Sequence, residues 1–107
     1  MIVADFSRTD KGFHVNIKGH ADYCDGKQDI VCAAASGIFY ALCSYLVNFK
    51  NGNYGANVVE RGYADIDCTK DCENYLQMAC LGFCEIARKH PRNMVVVNRA
   101  WDWRMLP

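Results

Sequence analysis

The sequence predicts an α/β (α+β) single domain of order ββαββαβ, a mixed sheet with two helices packed on one face. Three observations lead there. Two pairs of short segments alternate apolar and polar residues with period two, each pair joined by turn-forming residues. Two long stretches, 30–49 and 70–89, carry apolar residues at helical spacing. A last short apolar run, 94–97, follows the second of them.

In order along the chain, Ile2, Ala4 and Phe6 alternate with Val3, Asp5 and Ser7, the pattern of a half-buried strand. Thr9-Asp10-Lys11-Gly12 reads as a turn. Phe13, Val15 and Ile17 alternate with His14, Asn16 and Lys18, a second strand and the hairpin partner of the first. His20 continues the even, polar series and points away from the apolar face unless Gly19 bends the chain. Residues 21–28 are polar, contain Gly26 and read as a loop. Asp29 stands where a helix N-cap belongs, followed by a helix over 30–49. That helix is apolar nearly all round, so it needs cover on more than one side. Gly37 in its interior costs about 1 kcal/mol against alanine, which points to close packing there.

Segments 56–60 and 63–68 form a second hairpin turning at Arg61-Gly62. Thr69 caps a helix over 70–89, with Asp71 and Glu73 in its first turn and Arg88, Lys89 and His90 at its end, both in the sense the helix dipole favours. Cys72, Leu76, Ala79, Cys80, Phe83 and Ala87 make its apolar stripe, and Pro91 stops it. The continuous run at 94–97 reads as a buried strand.

At 107 residues the chain is one domain with one core. Twelve basic residues balance twelve acidic ones, with no basic run, which excludes a nucleic-acid surface of the usual electrostatic kind. The start, Met1-Ile2-Val3-Ala4-Asp5, has no basic region leading into a long apolar run, so no signal peptide is expected. Ser36, Gly37, Ser44 and Asn48 interrupt the apolar stretch 30–49, which favours a buried helix over a membrane span. Seven cysteines, an odd number partly at i, i+4 spacing, fit a reduced, cytoplasmic setting better than a disulfide framework.

The chemistry concentrates around Gly19-His20-Ala21 and Asp29 to Ser36. A thiol is a nucleophile only as thiolate, and a helix N-terminus favours that form. Asp29, Cys32, Ser36, Phe39 and Cys43 share one helix face, and His20 is near enough in sequence to fold back over them. Acid, thiol, hydroxyl and imidazole together suit a cysteine–histidine hydrolase.

The same residues carry a resemblance. Gly19-His20-Ala21, a short loop, then Asp29-Ile30-Val31-Cys32-Ala33-Ala34 and Ser36 are similar to the signature of the ribosomal-processing cysteine proteases (Prp), and the order of elements follows that family over about residues 1–98. The resemblance implies Cys32 as nucleophile and His20 as base, with Gly19, Asp29 and Ser36 at supporting positions. Whether Asp29 orients His20 or only caps the helix stays open. It further implies a substrate peptide from a large-subunit ribosomal-protein precursor with apolar residues before the cut, a homodimer, no cofactor, no metal, no nucleic acid and no membrane. The segment 99–107, with Trp101 and Trp103, has no counterpart in it.

Three further readings complete the picture. Cys68, Cys72, Cys80 and Cys84, spaced C-x3-C-x7-C-x3-C, allow a zinc or redox site, although Cys72 and Cys80 lie on the core stripe. A non-catalytic ribosomal-protein-binding or assembly factor is the alternative to a protease. Cys24, eight positions before Cys32, offers a reversible disulfide partner under oxidation.

Overall fold

In the computed structural model, which describes residues 1–19, 27–50, 54–60 and 62–103, the chain runs β1 (Ile2–Arg8), β2 (Gly12–Lys18), α1 (Lys27–Phe49), β3 (Tyr54–Glu60), β4 (Tyr63–Thr69), a single 3-10 turn (Lys70–Cys72), α2 (Glu73–Lys89) and β5 (Met94–Arg99). The strands form one sheet in the order β3-β4-β2-β1-β5. Four strands pair antiparallel, and β5 adds parallel to β1 with Ile2 opposite Met94 and Ala4 opposite Val96. The expected mixed sheet with two helices is therefore the fold.

Period-two alternation decides which sheet face is covered. Ile2, Ala4 and Phe6 of β1, Phe13 and Val15 of β2, and Ala64, Ile66 and Cys68 of β4 are buried. They meet Val31, Ala35, Phe39, Leu42 and Leu46 of α1 and Leu76, Ala79, Cys80 and Phe83 of α2 in one core. The alternate residues face outwards and are mostly polar, among them Asp5, Ser7, His14, Asn16, Asp65 and Asp67. On that open face His14 Nε2 lies 2.9 Å from Asp65 Oδ1, and Asn16 Nδ2 donates to Asp65 Oδ2 at 3.0 Å and to the Tyr63 hydroxyl at 3.1 Å.

Several details depart from expectation. Helix α1 begins at Lys27, so Asp29 lies inside the first turn instead of at the cap position, and Cys32 falls one turn deeper than expected. Thr69 does precede a helical turn, but its hydroxyl donates to the Asp71 carboxylate and makes no capping bond to a backbone N–H. The carboxylate of Asp71 is correspondingly held below its usual pKa, first by that hydroxyl. The run at 94–97 is an edge strand: Met94 is buried and Val96 packs on the core, while Val95 faces out. Three consecutive β-branched valines reflect strand propensity there, not burial on both faces.

The close helix contact is also not where Gly37 suggested. A Cβ at Gly37 would meet nothing within 4 Å, whereas one at Gly82 would approach Ile38 Cδ1 to 2.9 Å. Thus Gly82 of α2 lets the two helices approach at Ile38, and Gly37 lies on the open side of α1. Among the described residues that side stays uncovered: Tyr40 and Val47 are exposed, and only 28% of the apolar stretch Ile30–Phe49 is buried. That stretch is long and apolar enough to cross a membrane by length and composition, yet its buried residues belong to the sheet core.

The tail closes the end of the core near the β1–β2 turn. The Asn98 side chain accepts from the N–H groups of Ala100 and Trp101, both at 3.0 Å, and donates to the Trp101 carbonyl at 2.9 Å, turning the chain back. The Trp101 ring then stacks on Phe13 with centroids 5.3 Å apart and lies 5.9 Å from Phe6. Its indole N–H donates to Glu73 Oε2 at 2.9 Å, and Arg8 Nε donates to the Ala100 carbonyl at 2.5 Å. The tryptophan thus has both the apolar contact and the hydrogen bond that a partly buried indole needs.

Candidate functional site

The strand β2 and the helix α1 meet at the end of the sheet where β3 turns into β4. Gly19, just past β2, has φ +101°, and a Cβ there would collide with the Met1 carbonyl oxygen. Its N–H donates to the Gly62 carbonyl at 2.9 Å, which ties the end of β2 to the β3–β4 connection. Only glycine adopts that conformation without strain, and the positive φ breaks the alternation of β2 at this position. The polar parity of β2 therefore does not carry through Gly19. His20 itself, and Cys24, lie outside the described residues.

Cys32 is the sixth residue of α1. Its amide belongs to the i→i−4 ladder, and unpaired N–H groups are confined to the first turn, before it. Around the helix Phe39 is buried, Cys32 and Cys43 are half-buried, and Ser36 is exposed. Cys32 packs against the core while staying within reach of solvent, and Ser36 lies one turn on, at the rim. The backbone of Asp29 is in the first turn of the helix, one turn before Cys32; its side chain lies outside the described part.

Burial acts on the five other described thiols. Burial pushes Cys68 up to about 12, with help from the neighbouring Cys72 thiol, and likewise Cys80 to about 12 beside Cys84. Burial also raises Cys43, Cys72 and Cys84 above the ordinary thiol value. Such thiols stay protonated at neutral pH and make poor nucleophiles. All six described cysteines are free thiols, and Cys68 pairs with Cys72, Cys80 with Cys84, by side-chain hydrogen bonds. Among the described residues no three His, Cys, Asp or Glu side chains gather as metal ligands would.

His14 is half-buried against Asp65 on the outer face of the sheet, away from the helices. The signal was present in the strand parity: His14 stands directly opposite Asp67, and Asn16 opposite Asp65. A cleft of about 210 Å³ lies between the start of α1 and the end of α2, lined by Ile30, Val31, Ala34, Ile86, Lys89 and His90. Ile30 and Ala34 are on the α2 side of α1, roughly 160–200° around the helix from Cys32 at 100° per residue, so this cleft does not include the thiol.

Residues 1–95 match the family model described as cysteine protease Prp. Two crystal structures of the ribosomal processing protease Prp from S. aureus share this fold. The one in complex with a substrate peptide is 22% identical, with 90% of this chain and 97% of that chain covered at a TM-score of 0.75. The one with a covalently linked product peptide is 23% identical, covering 91% and 98% at a TM-score of 0.77. SMU.848 from Streptococcus mutans is similar at 21% identity, with 94% and 96% covered and a TM-score of 0.74. A search of the curated proteins finds no match.

Proposed function

Because this chain belongs to the cysteine protease Prp family, whose model matches residues 1–95, we propose that Cys32 is its nucleophile, His20 the base, and a ribosomal-protein precursor its substrate. In this reading His20 takes the proton of Cys32, and the thiolate attacks the carbonyl carbon of the scissile bond. The amine fragment leaves with a proton from the imidazolium, and water then releases the acyl group from sulfur. The observation that carries the assignment is the placement of Cys32: a thiol near the start of α1, one turn after Asp29, packed against the core yet within reach of solvent.

Gly19 acts here as the bend that frees His20 from the parity of β2, and Asp29 as the first-turn acid, which orients His20 or favours the helix start. Ser36 borders the thiol from the next turn. The family match and the two relatives solved with peptides support a peptide substrate. A non-catalytic binding factor is distinguished by turnover. The N-terminal peptide of the host's ribosomal-protein precursor, incubated with the protein and read by mass spectrometry, should give two fragments with wild type and none with Cys32→Ala. An intact peptide with wild type refutes the reading.

The outer face of α1 supports a homodimer. Between Ile30 and Phe49 there is no Asp, Glu, Lys or Arg, and on the outer face Tyr40 and Val47 remain exposed. An apolar face of this kind calls for a protein partner. Tyr40→Glu should turn a dimer into a monomer in sedimentation equilibrium; a wild-type chain that sediments as a monomer at all concentrations contradicts this part of the proposal.

A further inference from the structure

We infer that the peptide substrate docks as an added strand on the outer edge of β3, its side chains reaching the exposed inner face at Val59, and runs from there to Cys32. This rests on the cysteine-protease reading and adds the surface that holds the substrate.

The helical cover stops short of β3. Helix α2 packs on the β5 side of the sheet and α1 beside it, so β3 is the outermost strand on the side of α1 away from α2. Val59 stands opposite Ala64 in the β3–β4 pair, so the two side chains share the inner face. Yet Ala64 is 6% exposed and Val59 47%. An apolar residue on the core side of a sheet, left half open to solvent, makes a shelf beside α1.

That shelf lies along the flank of α1 that carries Cys32. Cys32 and Cys43 are three turns apart on one face, and Cys43 is near enough to Cys68 to help raise its pKa. Cys68 is itself opposite Tyr54 of β3. Three helical turns span about 16 Å, the length of about five strand residues, which leads from Cys68 back to Tyr63 and its partner Glu60. The start of α1 lies at this same end, since it follows β2, whose Lys18 is opposite Tyr63.

The edge supplies the matching polar groups. Glu60 and Tyr63 flank a two-residue connection and so form a hydrogen-bonded pair. Bonding alternates along an antiparallel ladder, so the N–H and C=O of Val59 point away from β4. Among the described residues no strand pairs with that edge. The register shift between Ala56 and Val58 breaks the edge further back, which confines regular pairing to its last residues. An open backbone donor and acceptor beside an apolar shelf fit an extended polypeptide, which offers main-chain groups and side chains at alternate positions.

Two measurements test this, both with the host's ribosomal-protein precursor peptide as probe. Val59→Pro removes the outward N–H and leaves the ladder to β4 intact, since proline is tolerated at an edge position of this kind. It should raise KM roughly fivefold to tenfold, and more than Val59→Ala does. Peptides N-methylated at one amide at a time before the cut should lose cleavage by wild type at alternate positions only. This scan decides the matter even if Val59→Pro fails to fold. An unchanged KM for folded Val59→Pro, or an N-methyl response that is absent or uniform, overturns the proposal, as does an effect of Val59→Pro on self-association in place of KM. Loss of all Cys32-dependent cleavage in wild type refutes the protease reading beneath it.

Discussion

Helices α1 and α2 lie on the same sheet and share one core, yet their cysteines and outer faces differ. Helix α2 buries Cys80 fully within its apolar stripe and ends in Arg88 and Lys89, charges its C-terminal dipole favours. Helix α1 has no charged residue from Ile30 onwards, leaves Cys32 half-buried at the edge of its core face and exposes aromatic and aliphatic side chains. Packing accounts for Cys80, although α2 also exposes Met78 and Leu81. The proposed function puts chemistry at the thiol of α1 and a partner on its outer face. The difference teaches that a cysteine's exposure and neighbours separate roles that the residue type leaves ambiguous.

Exchanging the two thiols for alanine should break the comparison most sharply. Cys32→Ala should lower peptide turnover by at least roughly a thousandfold with the fold intact, while Cys80→Ala should keep turnover and cost about 1 kcal/mol of stability. Turnover assays and urea titrations on the same preparations check both. Equal turnover in the two variants removes the distinction.

Trp101 adds a second difference, since it braces the first turn of α2 through Glu73 and covers Phe6 and Phe13. Trp101→Ala should destabilise the chain by about 3 kcal/mol with the acylation rate of Cys32 unchanged, measured by denaturation and single-turnover kinetics. A stable variant that cannot acylate would place the tail in the site.

The buried thiols also fix a pH response. Cys68 and Cys80 titrate near 12 in the folded chain against an ordinary 9.0, so the unfolded chain releases their protons first as pH rises. Unfolding then releases protons, and the contribution of these two thiols should be constant below about pH 9 and fall between about 9 and about 12. Urea midpoints at about pH 8 and about pH 10.5 should show the loss, and Cys68→Ala/Cys80→Ala should show less of it.

The smallest effects concern the two glycines. Gly37→Ala, with open space around it, should stabilise by about 1 kcal/mol, and Gly82→Ala should gain less, because its Cβ must push Ile38 Cδ1 aside. Thermal melts at concentrations where the chain is monomeric check the order.

Most of the architecture was legible because alternation and helical spacing are local. Both hairpins and both helices follow from them, as does the core stripe of α2. Burial across elements was not. Nothing local in 94–97 says whether its neighbours cover both faces, and the sheet puts β5 at an edge. Gly37 and Gly82 look alike in sequence, and only the crossing at Ile38 separates them. The start of α1 was missed because Asp29 suits a cap and a first-turn acid equally well. For the site, the motif singled out Cys32 by its neighbours in sequence. The shelf at Val59 left no motif, since it depends on where α1 stops covering the sheet.

The most direct measurement labels the nucleophile. A peptide carrying a cysteine-reactive electrophile in place of the scissile bond, made on the ribosomal-protein precursor sequence, should modify the protein once, and peptide mapping should find the adduct on Cys32 alone. Protection by excess precursor peptide should accompany it. An adduct on Cys43 or Cys84, or cleavage of the precursor that proceeds with Cys32 blocked, would contradict the assignment.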